Sequence, residues 1–405
     1  MPYNTTKRRH SVYSSARNNS SRRPGGNARG NNRGQRRGQY INPDRFVQKA
    51  KPIDTPDYVP QNTFADFKVH DLIKQNLTAK GYKIPSAIQD QTIPMGLIGQ
   101  DIIGIANTGT GKTAAFAVPV LHKLMQDKNS NALIVAPTRE LAQQIEDELK
   151  SIAKGSGLTG VLLIGGTSMG PQLRDLRNRP RVVIGTPGRI KDHIERKTLK
   201  LDIFNVVVLD EVDRMLDMGF IADVRFILSN LHKERQSFFF SATMDAKVQQ
   251  LIETFSNDPV AVSVKTGETS DNVNQDVIRF RGNMEKIDKL HEVLIQDEVA
   301  KIILFDETQR SVERLSNELI ARGFKADAIH GGKSQGQRQR ALNRFKKNEI
   351  SILVATDVAA RGIDVVDITH VINYSTPQSY QDYSHRVGRA GRAGRPGEAL
   401  TFVSH

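Results

Sequence analysis

The most constraining feature of this chain is a series of short, continuous apolar runs. Each is followed by a polar or glycine-rich turn and then a helical stretch. From residue 61 onward the runs are DIIGIAN (101–107), ALIVAP (132–137), GVLLIGG (160–166), RVVIGTP (181–187), NVVVLDE (205–211) and SFFFSAT (237–243). They are rich in Val, Ile and Phe and mostly do not alternate with polar residues, which is the pattern of strands covered on both faces. Strands alternating with helices predict a parallel sheet. After AVSV (261–264) the polar stretch KTGETSDNVNQ lacks apolar periodicity. The pattern then restarts with DVIRF (276–280), KIILFDE (301–307), ADAIHG (326–331), SILVATD (351–357), HVINYS (370–375) and EALTFVS (398–404). The body therefore reads as two α/β domains, 61–265 and 276–405, joined by a connector at 266–275. No repeat of 20–50 residues recurs, which argues against a solenoid. Ligands of open α/β sheets bind beyond the carboxyl ends of the strands. Unusual residues stand at those ends in both halves, so a site shared across a cleft is expected.

Charge separates the first 40 residues from this body. Of the chain's 58 Lys and Arg, ten lie in residues 1–40, which carry no Asp or Glu. Residues 41–405 then hold 48 basic and 44 acidic residues, a net +4 out of the overall +14. The first 40 residues have no Leu, Ile, Phe or Trp. With nothing to offset the entropy of ordering, this arm reads as disordered. Its Arg-Gly steps at Arg29, Arg33 and Arg37 suit single-stranded nucleic acid, through charge and guanidinium stacking. A solubilising tail without a specific ligand is the competing reading. An Arg- and Ser-rich transit peptide is disfavoured, because the segment has no apolar face. Residues 41–60, with four prolines, read as an extended linker. The absence of cysteine excludes a disulfide scaffold and thiolate metal sites. No apolar run approaches the ~18 residues of a membrane span. The absence of an organelle signal and of cysteine points to the cytoplasm.

Run 101–107 leads into Ala106-Asn-Thr-Gly-Thr-Gly-Lys-Thr113. This is the phosphate-loop pattern, with Ala106 where a glycine usually stands. Small residues let Thr108, Gly109, Thr110 and Gly111 bring backbone N–H groups close to phosphate oxygens. The following helix adds its positive end. Lys112 supplies a point charge to the outer phosphates, and Thr113 a hydroxyl to Mg²⁺. NVVVLD ends at Asp210, an acid that is costly at a strand end unless a cation faces it; it reads as the metal-side carboxylate. Glu211 is placed to act as general base on the attacking water. Hydrolysis also needs positive charge beyond the γ-phosphate. His385-Arg-Val-Gly-Arg-Ala-Gly-Arg392 offers it. Read as helical, Arg389 and Arg392 share a face and suit arginine fingers. A generic anion-binding patch is the bland alternative. Fingers from one half and a phosphate loop from the other would couple ATP to domain motion.

With these residues in hand, the chain resembles a DEAD-box ATP-dependent RNA helicase of superfamily 2, over about residues 64–405. Phe64 and Gly81-Tyr-Lys-Ile-Pro-Ser-Ala-Ile-Gln89 resemble the Q motif. ANTGTGKT resembles motif I, Pro137-Thr-Arg-Glu-Leu-Ala142 motif Ia, Thr186-Pro-Gly-Arg189 motif Ib, Asp210-Glu-Val-Asp213 motif II and Ser241-Ala-Thr243 motif III. Ile303-Leu-Phe-Asp306 is similar to motif IV, Gln335 and Arg338 fit the QxxR element, and Ala355 to Asp364 and His385 to Arg392 resemble motifs V and VI. The resemblance implies two tandem RecA-like parallel-sheet domains. It implies that Gln89 reads the adenine edge, Phe64 stacks on its face and Asp364 meets the ribose. Asp213, Ser241 and Thr243 would link the ATP state to the RNA surface. Pro137, Thr138, Arg139, Gly166, Thr186, Gly188, Arg189, Arg338 and Thr356 would grip the RNA backbone. Small residues, hydroxyls and arginines suit phosphates and 2′-hydroxyls rather than base edges, so the core is expected to lack sequence preference.

Three positions depart from the family pattern. Val212 replaces the alanine of motif II, Ser86 stands where threonine is commoner, and Ala390 replaces a usual threonine. None removes a catalytic group. The expected cofactors are ATP and Mg²⁺, and the expected partner is RNA, with the basic arm adding non-specific contacts. The expected activity is RNA-stimulated ATP hydrolysis that drives local, non-processive unwinding. The alternatives are an ATP-gated RNA clamp serving as an assembly platform and, more remotely, a DNA helicase.

Overall fold

The computed structural model describes residues 41–50, 58–107, 109–264, 272–296, 298–360, 363, 365, 367–391 and 396–405. The basic arm and the expected site residues Thr108, Asp364 and Arg392 lie outside them.

The first half forms a seven-stranded sheet. Its strands are β1 (Ile102–Ile105), β2 (Ala132–Val135), β3 (Gly160–Leu163), β4 (Val182–Gly185), β5 (Val206–Leu209), β6 (Gln236–Ser241) and β7 (Val260–Ser263), in the order β3-β4-β2-β5-β6-β1-β7. The second half forms a six-stranded sheet. Its strands are β8 (Val273–Phe280), β9 (Ile302–Phe305), β10 (Ala326–Ile329), β11 (Ile352–Ala355), β12 (His370–Asn373) and β13 (Gly397–Ser404), in the order β10-β11-β9-β12-β13-β8. Every pairing within the two sheets is parallel.

The unbroken apolar runs have a direct cause. Ile134, Val206, Val208 and Phe240 pack into one core cluster, while Leu133, Val135, Val207 and Phe239 pack into another on the opposite face. Both faces are covered by helices, so the central strand positions are filled mostly by apolar side chains. The second sheet repeats this with Ile303, Leu353 and Val371 on one face and Ile302, Leu304 and Val354 on the other.

Two expectations are corrected. Residues 41–60 are not a plain extended linker. Pro43–Phe46 form a 3-10 turn that starts on an Asn42 cap, and Phe46 is fully buried in the core of the second sheet with Ile41. These two apolar residues, set among four prolines, dock the segment on that core. β8 also begins at Val273, inside the stretch expected as connector, because Val273 and Gln275 are buried against that same segment. No helix among the described residues is long and apolar enough to cross a membrane.

Candidate functional site

The loop after β1 turns through Gly109 (φ +85°) and Gly111 (φ +90°), backbone that side-chain-bearing residues rarely adopt. Gly111 then caps the helix Lys112–Gln126. A Cβ on Gly111 would lie 2.3 Å from Gln89 Nε2, so the position also needs glycine for space. Gln89 Nε2 donates to the Gly111 carbonyl (3.1 Å), and its Oε1 accepts from Ser86 N–H (2.9 Å). Ser86 Oγ donates to the Thr110 carbonyl (2.7 Å). The shorter hydroxyl at position 86 thus still pins this helix start to the phosphate loop. Lys112, 6% exposed, donates from Nζ to the Ala106 carbonyl (2.8 Å).

β5 delivers Asp210 and Glu211 into the same place. Burial, partly offset by Lys112 and reinforced by Glu211, pushes the Asp210 carboxyl up. Burial would also raise Glu211, but Arg214, Lys112 and Arg389 outweigh it and hold its carboxyl low. The Arg214 contact is a buried ion pair of 2.8 Å. Glu211 sits at φ 55°, ψ 55°, a left-handed conformation costly for this residue type and typical of functional positions. Val212 is fully buried in the core beside Met215, so apolar packing absorbs the larger side chain.

Asp213 and motif III are brought together. Asp213 Oδ2 accepts from Ala242 N–H (3.1 Å), Thr243 N–H (3.0 Å) and Thr243 Oγ1 (3.2 Å), and Ser241 Oγ donates to the Thr243 carbonyl (2.7 Å).

A cavity of about 500 Å³ joins both halves. Gly109, Gly111, Lys112, Thr113, Asp210 and Glu211 line it from the first, and Lys346, Ile363 and Arg389 from the second. Arg389, 3% exposed, donates from Nη1 to the Ile363 carbonyl (2.8 Å). It does not stand on a helix as expected. The helix Tyr380–Val387 ends at a Gly388 cap, and Arg389 follows in the turn. The interleaved glycines end the helix before the arginine spacing can act along one face.

Phe64 does not line the cavity. Its ring is buried edge-on between Phe67 (5.6 Å) and Tyr82 (5.1 Å), and Tyr82 forms the wall.

The expected RNA-side residues gather at the same carboxyl end of the first sheet, toward its opposite edge, after β2, β3 and β4. Thr138 caps the helix Arg139–Ile152. The Arg139 guanidinium lies over Gly166, where a Cβ would come within 2.0 Å of it. Thr186 caps the helix that carries Gly188 and Arg189, and Arg189 donates to the Thr167 carbonyl (3.3 Å). Pro137 directly precedes Thr138. From the second half, Thr356 follows β11 half-buried. Arg338 meets Glu140 in a 2.8 Å ion pair whose side chains are 8% and 1% exposed.

Three contributors escape motif reading. Arg386 is buried, grips Asp357 with two bonds (2.6 and 2.7 Å) and donates to the Ser375 carbonyl (2.8 Å). Arg214 pairs with Glu211 three residues before it, and Glu140, inside Pro137–Ala142, pairs with Arg338; the motif patterns alone name neither partnership.

The residues fit a nucleotide with its divalent cation. Asp210 is a buried carboxylate in need of positive charge, beside a loop shaped for phosphates. Among the described residues no cluster of three metal-ligating side chains occurs.

Comparison with known proteins agrees. The profile described as DEAD/DEAH box helicase matches residues 86–251, and that described as helicase conserved C-terminal domain matches 285–394. The ATP-dependent RNA helicase CshA of Listeria monocytogenes is 44% identical over 342 residues, 84% of this chain and 66% of that protein. The DEAD-box ATP-dependent RNA helicase CshA of Bacillus subtilis is 43% identical over 344 residues, 84% of this chain and 69% of that one. The chain thus spans about two thirds of the length of these relatives. Mss116p bound to single-stranded RNA and AMP-PNP superposes with a TM-score of 0.77 at 30% identity, covering 88% of this chain and 78% of that one. Saccharomyces cerevisiae Dbp5 bound to RNA and ADP BeF3 gives 0.74 at 28% identity, covering 85% and 90%.

Proposed function

This chain belongs to the DEAD-box ATP-dependent RNA helicases, and from that premise we propose that it hydrolyses ATP on RNA and uses the cycle to open short duplexes locally, without long travel. The observation that carries this reading is the cavity lined from one side by the phosphate loop and Glu211 and from the other by Arg389. We assign these halves to a first domain that runs from residue 61 through β7 and a second that begins with β8 at Val273.

In this reading Gly109, Thr110 and Gly111 cradle phosphate oxygens with Thr108, and Lys112 leaves the Ala106 carbonyl to meet the outer phosphates. Gln89, bonded to Gly111, couples adenine recognition to loop shape, with Phe64 supporting it through Tyr82 and Asp364 serving the ribose. Thr113 and Asp210 hold Mg²⁺, which neutralises phosphate charge when bound. Glu211, kept ionised by Arg214, orients and deprotonates the attacking water. Arg389, with Arg392, stabilises charge on the transferred group. Hydrolysis on the first half therefore requires the second half to be in place.

Strand order supports a route from the nucleotide to RNA. Asp210 and Asp213 follow β5, which separates the phosphate loop after β1 from the group after β2, β3 and β4. Asp213 with Ser241 and Thr243 is the relay. Pro137, Thr138, Arg139, Gly166, Thr186, Gly188 and Arg189 hold the backbone from the first half, and Thr356 does so from the second. Arg338 acts there through Glu140. The grip bends a single strand, and a duplex cannot follow.

The test is RNA-stimulated phosphate release and short-duplex unwinding by Lys112→Ala and Glu211→Gln. Each should lose about a hundredfold or more; parent-like turnover in both variants refutes the assignment. The basic arm tethers RNA by charge. Deleting residues 1–40 should flatten the salt dependence of binding by about 0.7 in log slope for each phosphate the arm had neutralised, with turnover at saturating RNA kept.

A further inference from the structure

The segment before the first sheet holds both halves of the molecule. On the second half it is docked through Phe46, fully buried, whose ring centroid lies 4.6 Å from that of Tyr383. Arg45 stacks 4.1 Å over the Tyr380 ring. Gln48 pairs antiparallel with Gln275 of β8 through N–H to carbonyl bonds of 3.0 and 2.7 Å. Ala50 N–H then donates to Asn274 Oδ1 (2.9 Å).

On the first half the same segment is held by one carboxylate. Asp90, 3% exposed, accepts from Tyr58 O–H (2.7 Å), Gln61 N–H (2.7 Å) and Asn62 Nδ2 (2.8 Å). Asp90 lies in the first turn of the helix Ala87–Leu97, next to Gln89.

Connectivity turns these two anchors into a length limit. Eight peptide steps join Ala50 to Tyr58, a reach of roughly 26–29 Å at full extension. Eight steps also join Val264, at the end of β7, to Asn272, at the start of β8. Both connections leave the second half at the first residues of β8. Both land on neighbouring elements of the first, because the helix Ala87–Leu97 packs on β1 and β7. A single connector of this length lets two bodies swivel about it. Two that start and end on neighbouring elements do not.

We propose that the anchors at 41–50 and 58–62, through the short chain length between them, act as a second tether that limits how far the two halves can part and converts a swivel into a hinge. The partner of the exposed edge of β8 is thus this chain's own N-terminal segment. This does not depend on the reaction assigned above.

The chain has no cysteine, so the exposed residues Asp202 and Lys347 can be changed to cysteine and labelled for single-molecule energy transfer without nucleotide or RNA. Three full-length proteins are compared: the parent, Phe46→Ala, and a variant with twenty Gly/Ser residues inserted after Asp54. The insertion leaves both anchors intact and raises the reach to over about 90 Å. Its melting temperature should match the parent, which separates loosening from unfolding. Both variants are expected to lose mean transfer efficiency and widen its distribution. An insertion variant whose distribution superimposes on the parent's overturns the tether, whatever Phe46→Ala does. So does widening in the insertion variant with none in Phe46→Ala, because Phe46 would then not be the anchor.

Discussion

The two halves of this molecule wind six strands in the same order and put them to different chemical use. Numbered within each half, both sheets read 3-4-2-5-6-1, and the first adds β7 at the edge. After β1 comes a loop that turns through two left-handed glycines into Lys112. After β8, Arg281 passes directly into the helix Gly282–Leu294. β5 ends in two buried carboxylates. β12 ends in Asn373, whose amide donates to Thr401 Oγ1 (2.9 Å) and accepts from Arg386 Nη1 (3.2 Å). One half stores negative charge that calls for a cation. The other pairs its strand-end amide within itself and presents Arg389 to the shared cavity. The fold supplies a scaffold twice, and the loops decide which half does what. The edges differ too: β1 is covered by β7, while β8 is covered by Gln48.

Perturbations should respect that division. The largest effect is expected in the second half. Arg386→Ala leaves Asp357 without its buried partner, at a cost of about 3–5 kcal/mol. Denaturant unfolding should show an early transition for that half while the first holds. Across the junction, Glu140→Gln leaves Arg338 unpaired and should weaken the closed arrangement by about 2–5 kcal/mol. It would appear as a higher RNA requirement for turnover, partly relieved by adding Arg338→Gln. In the first half alone, Gly185→Ala puts a Cβ 2.4 Å from the Leu163 carbonyl oxygen. It should destabilise by about 1–3 kcal/mol, moving only the transition that Arg386→Ala spares.

The smallest expected effect concerns pH. Burial, aided by Arg189 and Arg196 and opposed by Asp192, holds the His193 imidazole low; its ring nitrogens face Thr198 and Gln172. The unfolded chain takes up a proton near pH 6.5 where the folded one does not. His193 therefore contributes stability that is complete above about pH 6.5 and lost as pH falls. His193→Gln should flatten that decline in urea melts of the first half between pH 5.5 and 7.5.

Sequence reading reached the strands because burial on both faces leaves an unmistakable trace, as in NVVVLD and SFFFSAT. It reached the phosphate loop because glycine spacing is a backbone requirement. It missed what depends on partners distant in the chain. Nothing beside Arg386 announces Asp357, and Glu140 gives no sign of Arg338. Four prolines hid the docking of Phe46. The arginines after Tyr380 were read at helical spacing, yet Gly388 ends the helix and re-aims Arg389.

The central claim is that the triphosphate site is finished by the second half. Single-turnover ATP hydrolysis by Arg389→Ala, at saturating RNA and ATP, tests it most directly. The account expects a loss of about a thousandfold or more with the affinity for a non-hydrolysable ATP analogue retained. A rate equal to the parent's would contradict it.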